Sequence, residues 1–336
     1  MARSARLAEV AKLAGVSPGL VSRLINGDPT LKIRDETRER VTSAIEMLQY
    51  TPHASARALR SQQSGLLGFA LYHVTDPIYA QMVESAEAAA DAAGYSLMLL
   101  NAAELTTHTD TFRRLTRGGQ IDGLLLQGGY ADGLSALSGA RALPTVLFNA
   151  DARPGFRTVR LDDGRAADLA TRHLIDLGHE RIVFVGAEGA SSERRYRGYL
   201  AAMAEAGLSP HPPIVGGWDA GPAREATERY WASGGTATAL VVVSTTSALG
   251  VHAGVIASGR GLPRDVSIVS IHDTWFAPHL SPALTVAAMP LGDLGRVAVE
   301  LLLAQVQSAQ EGEVVLRDPA PQIVRRESTD VPRVAE

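Results

Sequence analysis

At 336 residues the chain is too long for one compact core and divides into two or three domains. It contains no cysteine, which excludes disulfides, thiolate metal sites and cysteine nucleophiles. The formal net charge is only −4, but residues 1–62 hold ten Lys or Arg against six acids, so a basic head precedes an acidic remainder of −8.

Arg3 and Arg6 follow Met1 without a seven-residue apolar run behind them, so no signal peptide is expected. No apolar span of eighteen residues follows, and a cytoplasmic, globular protein is expected. Between Leu7 and Gly27 the chain spells two short helices around a turn at Gly15. Leu7, Val10, Ala11 and Ala14 recur at three- and four-residue steps as a buried stripe, leaving Glu9 and Lys12 to solvent. Gly15 suits a positive φ, Ser17 suits a helix cap and Pro18 the first helical position. The second helix turns Val21, Leu24 and Ile25 inward, so Ser22, Arg23 and Asn26 are free to meet base edges and phosphates in a major groove.

A third helix follows in DETRERVTSAIEMLQY, with Val41, Ile45 and Leu48 as its stripe. Pro52 then breaks the chain. HASARALRSQQSG carries a single large apolar residue, Leu59, so it lacks the face needed to stand alone and should order only against a partner.

From Leu66 onward short apolar runs alternate with helical stretches. LLGFALYHV, YSLMLLNA, DGLLLQG and PTVLFNA read as strands buried on both faces. Met82, Ala86, Ala89 and Ala93, closed by Gly94, describe a helix between the first two. A second set comprises RIVFVGA, PIVGGW, ALVVVST, VSIVSIHD and LTVAAMP. Strand, helix, strand at these lengths implies parallel sheets, and two such lobes side by side enclose a cleft beyond the carboxyl ends of their strands.

The chain resembles the LacI-type family of bacterial transcription regulators along nearly its whole length. The resemblance rests on Val10-Ala11, Ala14-Gly15-Val16-Ser17, Val21-Ser22-Arg23, Glu36-Thr37-Arg38, Tyr50 with Pro52, His173-Leu174 with Leu177-Gly178-His179, the Arg195-to-Gly198 segment and Arg326-Glu327-Ser328, in family order and spacing. It implies a three-helix helix-turn-helix head over residues 1–51 and a hinge helix over 52–64. It also implies an α/β two-lobed core over 65–336, like a periplasmic binding protein, with parallel sheets. One lobe takes about 65–164 with 291–320 crossing back, and the other about 165–290.

For DNA the resemblance implies contacts from Leu7, Ser17, Pro18, Gly19, Leu20, Ser22, Arg23 and Asn26, with the hinge adding His53, Ala56, Leu59 and Arg60. Arg is the side chain best shaped for bidentate bonding to guanine, which suits Arg23. Gly19 stands where the family often carries a bulky base-reading side chain, and Leu20 replaces a common Thr. Either specificity leans on Arg23 and the hinge, or Pro18 and Leu20 touch thymine methyls. Leu59 matches the leucine that wedges into the minor groove, with Ala56 and Ala58 small enough for two hinges to meet, and Arg60 matches a minor-groove contact.

For the cleft, Trp218 resembles an aromatic platform for a sugar ring, and Arg195 aligns with an effector-clamping arginine. Asn149 and Asp273 align with effector contacts. Ser244-Thr245 replaces a frequent Asn-Asp pair, so the effector is expected to differ in size from a simple hexose. Asp76, Tyr79, Gln127, His272 and Trp275 lie on loops expected to border the cleft.

The function implied is a homodimeric repressor binding a near-palindromic double-stranded operator, with affinity changed by a sugar-like effector. A corepressor-dependent regulator of a non-sugar metabolite and a solute-binding protein of the same core fold are the alternatives. No G-x-G-x-x-G or P-loop string occurs. His173 and His179 read as structural, and no enzyme, cofactor, metal or membrane partner is expected. Tetramers of the family are implied to use an appended apolar heptad tail, and because this chain ends soon after Ser328, with Pro332 nearby, a dimer is expected.

Overall fold

A computed structural model describes residues 6–25, 28, 30–50, 63–103, 115, 119–128, 143–308 and 310–333. The chain divides into two compact units, Met1–Ser64 and Gly65–Glu336.

The first unit contains α1 (Leu7–Ala14), α2 (Pro18–Ile25) and α3 (Asp35–Met47). Glu9 reaches back to accept from the Arg6 amide at 2.8 Å, satisfying an orphan donor at the start of α1. Gly15 ends that helix at φ 67°, a conformation an L side chain rarely adopts. Ser17 then caps α2, its Oγ accepting from the Leu20 amide at 3.3 Å. Val10, Ala11, Ala14, Val21, Val41, Ala44 and Tyr50 form the core, ringed by half-buried Leu7, Leu20, Leu24, Ile25, Ile45 and Leu48. The third stripe is thus centred on Val41 and Ala44, because the small Ala44 can enter an interior that Ile45 and Leu48 only roof.

The second unit holds two six-stranded sheets. The first runs β11-β5-β4-β3-β1-β2, every pairing parallel, from β1 (Leu66–Leu71), β2 (Ser96–Asn101), β3 (Gly123–Gln127), β4 (Thr145–Phe148), β5 (Arg157–Leu161) and β11 (Gly312–Leu316). The second runs β12-β10-β9-β8-β6-β7, from β6 (Ile182–Gly186), β7 (Ile214–Val215), β8 (Ala239–Val242), β9 (Ser267–Ile271), β10 (Thr285–Ala288) and β12 (Gln322–Val324). Only its edge strand β12 is antiparallel. β2 is not buried on both faces as its apolar residues suggest: it is an edge strand in which Leu97, Met98 and Leu100 are half-buried and the other residues exposed.

Among the described residues six helices cover these sheets: α4 (Ile78–Ala92), α5 (Asp163–Asp176), α6 (Ala190–Glu205), α7 (Ala220–Ala232), α8 (Thr245–Ala257) and α9 (Leu291–Gln307). The inner line of α4 runs through Met82, Ala86 and Ala90. The helices pack as pairs, and each pair meets through a glycine. A Cβ on Gly198 of α6 would lie 2.0 Å from the Gly164 carbonyl of α5, one on Gly250 of α8 1.9 Å from the Ala220 carbonyl of α7, and one on Gly295 of α9 2.1 Å from the Met82 carbonyl of α4. These backbones touch directly, so the layers are rigid.

The chain crosses between the sheets three times: after β5, after β10 and between β11 and β12. The last crossing returns residues 322–324 to the second lobe, where His179 lies 2.8 Å from the Asp330 carbonyl and His173 3.0 Å from Thr329 Oγ1. Three passages of chain therefore join the two sheets.

Candidate functional sites: the basic head and the cleft between the sheets

In the head, Ser17, Pro18 and Gly19 are exposed at the start of α2, and Leu20, Ser22 and Arg23 are half-buried along it. Open space surrounds Gly19; only Ser17 Oγ, at 3.9 Å, would meet a Cβ there. Leu7 and Leu20 pack on the head's own core, which leaves part of each side chain for an outside contact. Arg23 Nε donates to Asp28 Oδ2 at 2.7 Å and Nη2 to Thr30 Oγ1 at 3.0 Å, so the loop after α2 aims this guanidinium. The hydrogen bonds from Thr30 and Arg23 hold the Asp28 carboxyl down at about 2. Asn26, His53, Ala56, Leu59 and Arg60 lie outside the described residues.

In the second unit a cavity of about 270 Å³ opens at the carboxyl ends of both sheets. The first lobe contributes Tyr72 and His73 after β1, Asp76, Tyr79, Gln127 and Asn149; the second contributes Glu188 to Ser191, Arg195 and Trp218. Asp76, Tyr79, Gln127, Asn149, Arg195 and Trp218 therefore come together as the sequence predicts.

The polar side chains are held in fixed orientations. Gln127 Oε1 accepts from the Tyr72 amide at 3.0 Å, which turns its Nε2 to donate to the Tyr79 hydroxyl at 2.5 Å. Tyr79 accepts that bond, so its own hydroxyl hydrogen is available to a ligand. Burial pushes the Tyr79 hydroxyl pKa far up and keeps it protonated. Asn149, at φ 54°, offers Oδ1 to Arg194 Nη2 at 3.3 Å, leaving its NH2 as donor. Asp76 Oδ1 accepts from the Ile78 amide at 3.2 Å and from Thr246 Oγ1 at 3.0 Å, and burial raises its pKa. Trp218 Nε1 donates to the Glu188 carbonyl at 2.9 Å, which sets the indole plane 5.8 Å from the Arg195 guanidinium.

Arg195 is 2% exposed and most of its donors are spent inside the protein. Nε donates to Asp163 Oδ1 at 2.8 Å, Nη1 to the Val243 carbonyl at 2.5 Å and Nη2 to His272 Nε2 at 2.7 Å. His272 must accept there, so its proton sits on Nδ1 and the ring is neutral; burial and the neighbouring guanidinium push it down to about 3. Sequence reasoning missed Asp163 and Arg194. Asp163 is fully buried, and its second oxygen accepts from Arg194 Nε at 2.9 Å and Nη2 at 2.6 Å. Burial pushes this carboxyl up, but the two guanidiniums prevail and hold it below the usual range. Arg194 Nη1 also reaches Asp151 at 2.7 Å. The sequence shows only an aspartate pair after β5 and an arginine pair more than thirty positions later, and neither pair names the other as its partner.

Four predicted residues do not line the cleft, and the first, His272, is 2% exposed and turned onto the Arg195 guanidinium. Ser244 is fully buried and caps α8 by accepting from the Ser247 amide at 3.2 Å. Asp273 Oδ2 is taken by Arg326 Nη2 at 2.7 Å, and its carbonyl by Gln81 at 3.0 Å. Trp275 is 73% exposed and stands edge-on to Phe276, away from the cavity. The chain reverses at His272, φ 71°, and that turn carries both side chains off the cleft wall.

Residues 6–53 match the family described as bacterial regulatory proteins, lacI family, and residues 171–329 match the periplasmic binding protein-like domain. The HTH-type transcriptional regulator GalR of Salmonella typhimurium is 32% identical over 335 residues, covering 98% of this chain and 97% of that protein. The HTH-type transcriptional repressor PurR of Photobacterium profundum is 29% identical, covering 96% of this chain and 98% of its own. A LacI family transcriptional regulator from Mycobacterium smegmatis is 30% identical and superposes with a TM-score of 0.70, over 80% of this chain and 100% of that one. The Lac repressor dimer bound to operator shares the fold at a TM-score of 0.85 and 24% identity, over 98% of this chain and 100% of its own. The chain belongs to the LacI family of bacterial regulatory proteins: it is a DNA-binding transcriptional regulator, not an enzyme.

Proposed function

We propose that this regulator is a cytoplasmic repressor, that its heads (1–51) bind a near-palindromic operator as a homodimer through hinges (52–64), and that a neutral polyhydroxylated molecule in the cleft weakens that binding. The observation that carries the effector class is the pattern of groups on the cleft wall. Tyr79, Gln127, Asn149 and one Nη1 hydrogen of Arg195 offer donors, Asp76 Oδ2 offers an acceptor, and Trp218 offers a ring face. Hydroxyl groups satisfy both kinds of partner, whereas buried polar groups left unmatched cost affinity. Asp76 and Glu188 line the site, and the Arg195 charge is already neutralised by Asp163, so a carboxylate or phosphate effector is disfavoured. The cavity is at the small end of ligand sites, which suits one or two sugar rings.

Tryptophan emission titrated with D-ribose, D-galactose, cellobiose, D-glucuronate and adenosine tests this. A neutral sugar should bind, and Trp218→Phe should abolish its signal and weaken it about tenfold, in line with loss of a well-packed aromatic contact. Tight binding of glucuronate or adenosine that ignores Trp218 would overturn the sugar reading. A ligand that strengthens operator binding would make the protein a corepressor-dependent regulator instead.

A further inference from the structure

The effector cleft lies at the carboxyl ends of the strands, but a second cavity of about 510 Å³ opens at the opposite, amino ends of β6, β8 and β9. Arg181 immediately precedes β6, Thr236 to Thr238 precede β8, and Arg260 to Asp265 precede β9; Trp231 from the end of α7 and Arg333 from the C-terminal segment complete the wall. Three guanidiniums and one carboxylate therefore face one basin, on a unit whose overall charge is negative.

The basin is built rather than accidental. The Tyr230 hydroxyl accepts from the Thr236 and Ala237 amides at 3.2 and 3.0 Å, which fixes the loop under it. Arg181 Nε donates to the Thr236 carbonyl at 2.9 Å, which holds its guanidinium over that loop with both Nη groups unbonded among the described residues. Arg260 stacks on Trp231, 4.1 Å from the ring centroid, and spends only Nη1, on the Ser258 carbonyl at 3.1 Å. Stacking uses the flat face of a guanidinium and leaves its N–H edge for an anion. Trp231 is 6% exposed, yet its indole N–H has no partner among the described residues. The one carboxylate does not compete: Asp265 is already bonded to the Gly261 amide and Arg264, both at 2.7 Å, with Arg333 at 3.6 Å.

We propose that this basin is a second ligand site, for a phosphate-bearing small molecule, held by Arg181, Arg260 and Arg333. Phosphate oxygens match the guanidinium fork, and the trigonal spread of three oxygens suits arginines arriving from three separate segments better than one carboxylate does.

The test uses the full chain carrying Trp218→Phe and Trp275→Phe, so that Trp231 is the remaining indole. Inorganic phosphate, glucose 6-phosphate and acetate are titrated against a sodium chloride control of equal ionic strength. Phosphate or its ester should change the Trp231 emission saturably, and Arg181→Gln and Arg260→Gln should each weaken binding about tenfold, the scale of a charge-assisted bond. Tighter binding of the ester marks a phosphorylated metabolite as the ligand, and equal binding marks inorganic phosphate. Arg333→Gln, at an exposed side chain, gives a variant whose folding is not at stake and should also weaken binding. No saturable change, acetate binding as tightly as phosphate, or variants binding as well as the parent would overturn the site.

Discussion

Thr246 Oγ1 donates to Asp76 Oδ1 at 3.0 Å, joining the segment after β1 in the first lobe to the first turn of α8 in the second across the mouth of the cleft. Burial raises the Asp76 pKa, so ionising this residue works against the folded state. Its contribution to stability is fully present below the ordinary carboxyl pKa of about 3.9 and is lost as pH rises through the folded value. Asp76→Asn keeps the acceptor and removes the charge. In urea unfolding it should raise the midpoint at neutral pH, with the gain over the parent shrinking as pH approaches about 4. Thr246→Val should cost about 0.5–1.5 kcal/mol at either pH, because it deletes one hydrogen bond. A neutral-pH midpoint unchanged in both variants would remove the bridge from the account.

Asp28 bears on DNA reading because it pre-positions Arg23. Arg23→Ala should cost about 1–3 kcal/mol of discrimination at one base pair in each half-site, read from operators selected out of random duplex. Asp28→Asn should instead tighten binding to random duplex and steepen its salt slope by up to about one, since a negative charge beside the phosphates is gone. The Asp28 carboxyl is held at about 2, so its pairing is present above the ordinary value and fails only as pH falls toward 2. Specificity that is indifferent to Arg23 would shift the readout to other parts of the head and hinge.

Asp163 is the third test. It lies between two guanidiniums that are almost wholly buried, so Asp163→Ala strands the Arg195 charge and leaves Arg194 only Asp151. Removing one partner of a buried pair costs about 3–5 kcal/mol, and the urea midpoint of the full chain should fall accordingly. Asp163→Asn should do nearly as much harm, because an amide keeps an acceptor but not the charge. A variant as stable as the parent would mean that the arginines find water or another acid.

The head was legible in the sequence because local chemistry decides it: Gly15, Ser17 and Pro18 each have one backbone role, and the stripe from Val10 to Ala14 follows. The apolar strands β1, β3, β4, β6, β8 and β9 were legible for the same reason, since nearly continuous Val, Ile and Leu runs suit a sheet covered on both faces. β5 was not, because RTVRL sets two arginines among its three buried residues, and β11 and β12 are short segments after the last helix. In the cleft, Trp218, Asn149 and Gln127 were recoverable from positions at strand ends. Arg194 and Asp163 were not, because their burial depends on a partner thirty-one positions away. The turn at His272 misled the assignment of Asp273 and Trp275, as one positive φ reverses which way the following side chains point.

The central claim is that cleft occupancy controls operator affinity, and fluorescence anisotropy of the full chain on its selected operator tests it most directly. The measurement is made with and without the sugar that saturates the Trp218 response. The account predicts a fall in operator affinity of about 5- to 150-fold, the usual range of allosteric coupling, and no fall at the same sugar concentration in Trp218→Phe. An operator affinity that the bound sugar leaves unchanged, or an equal fall in Trp218→Phe, would contradict it.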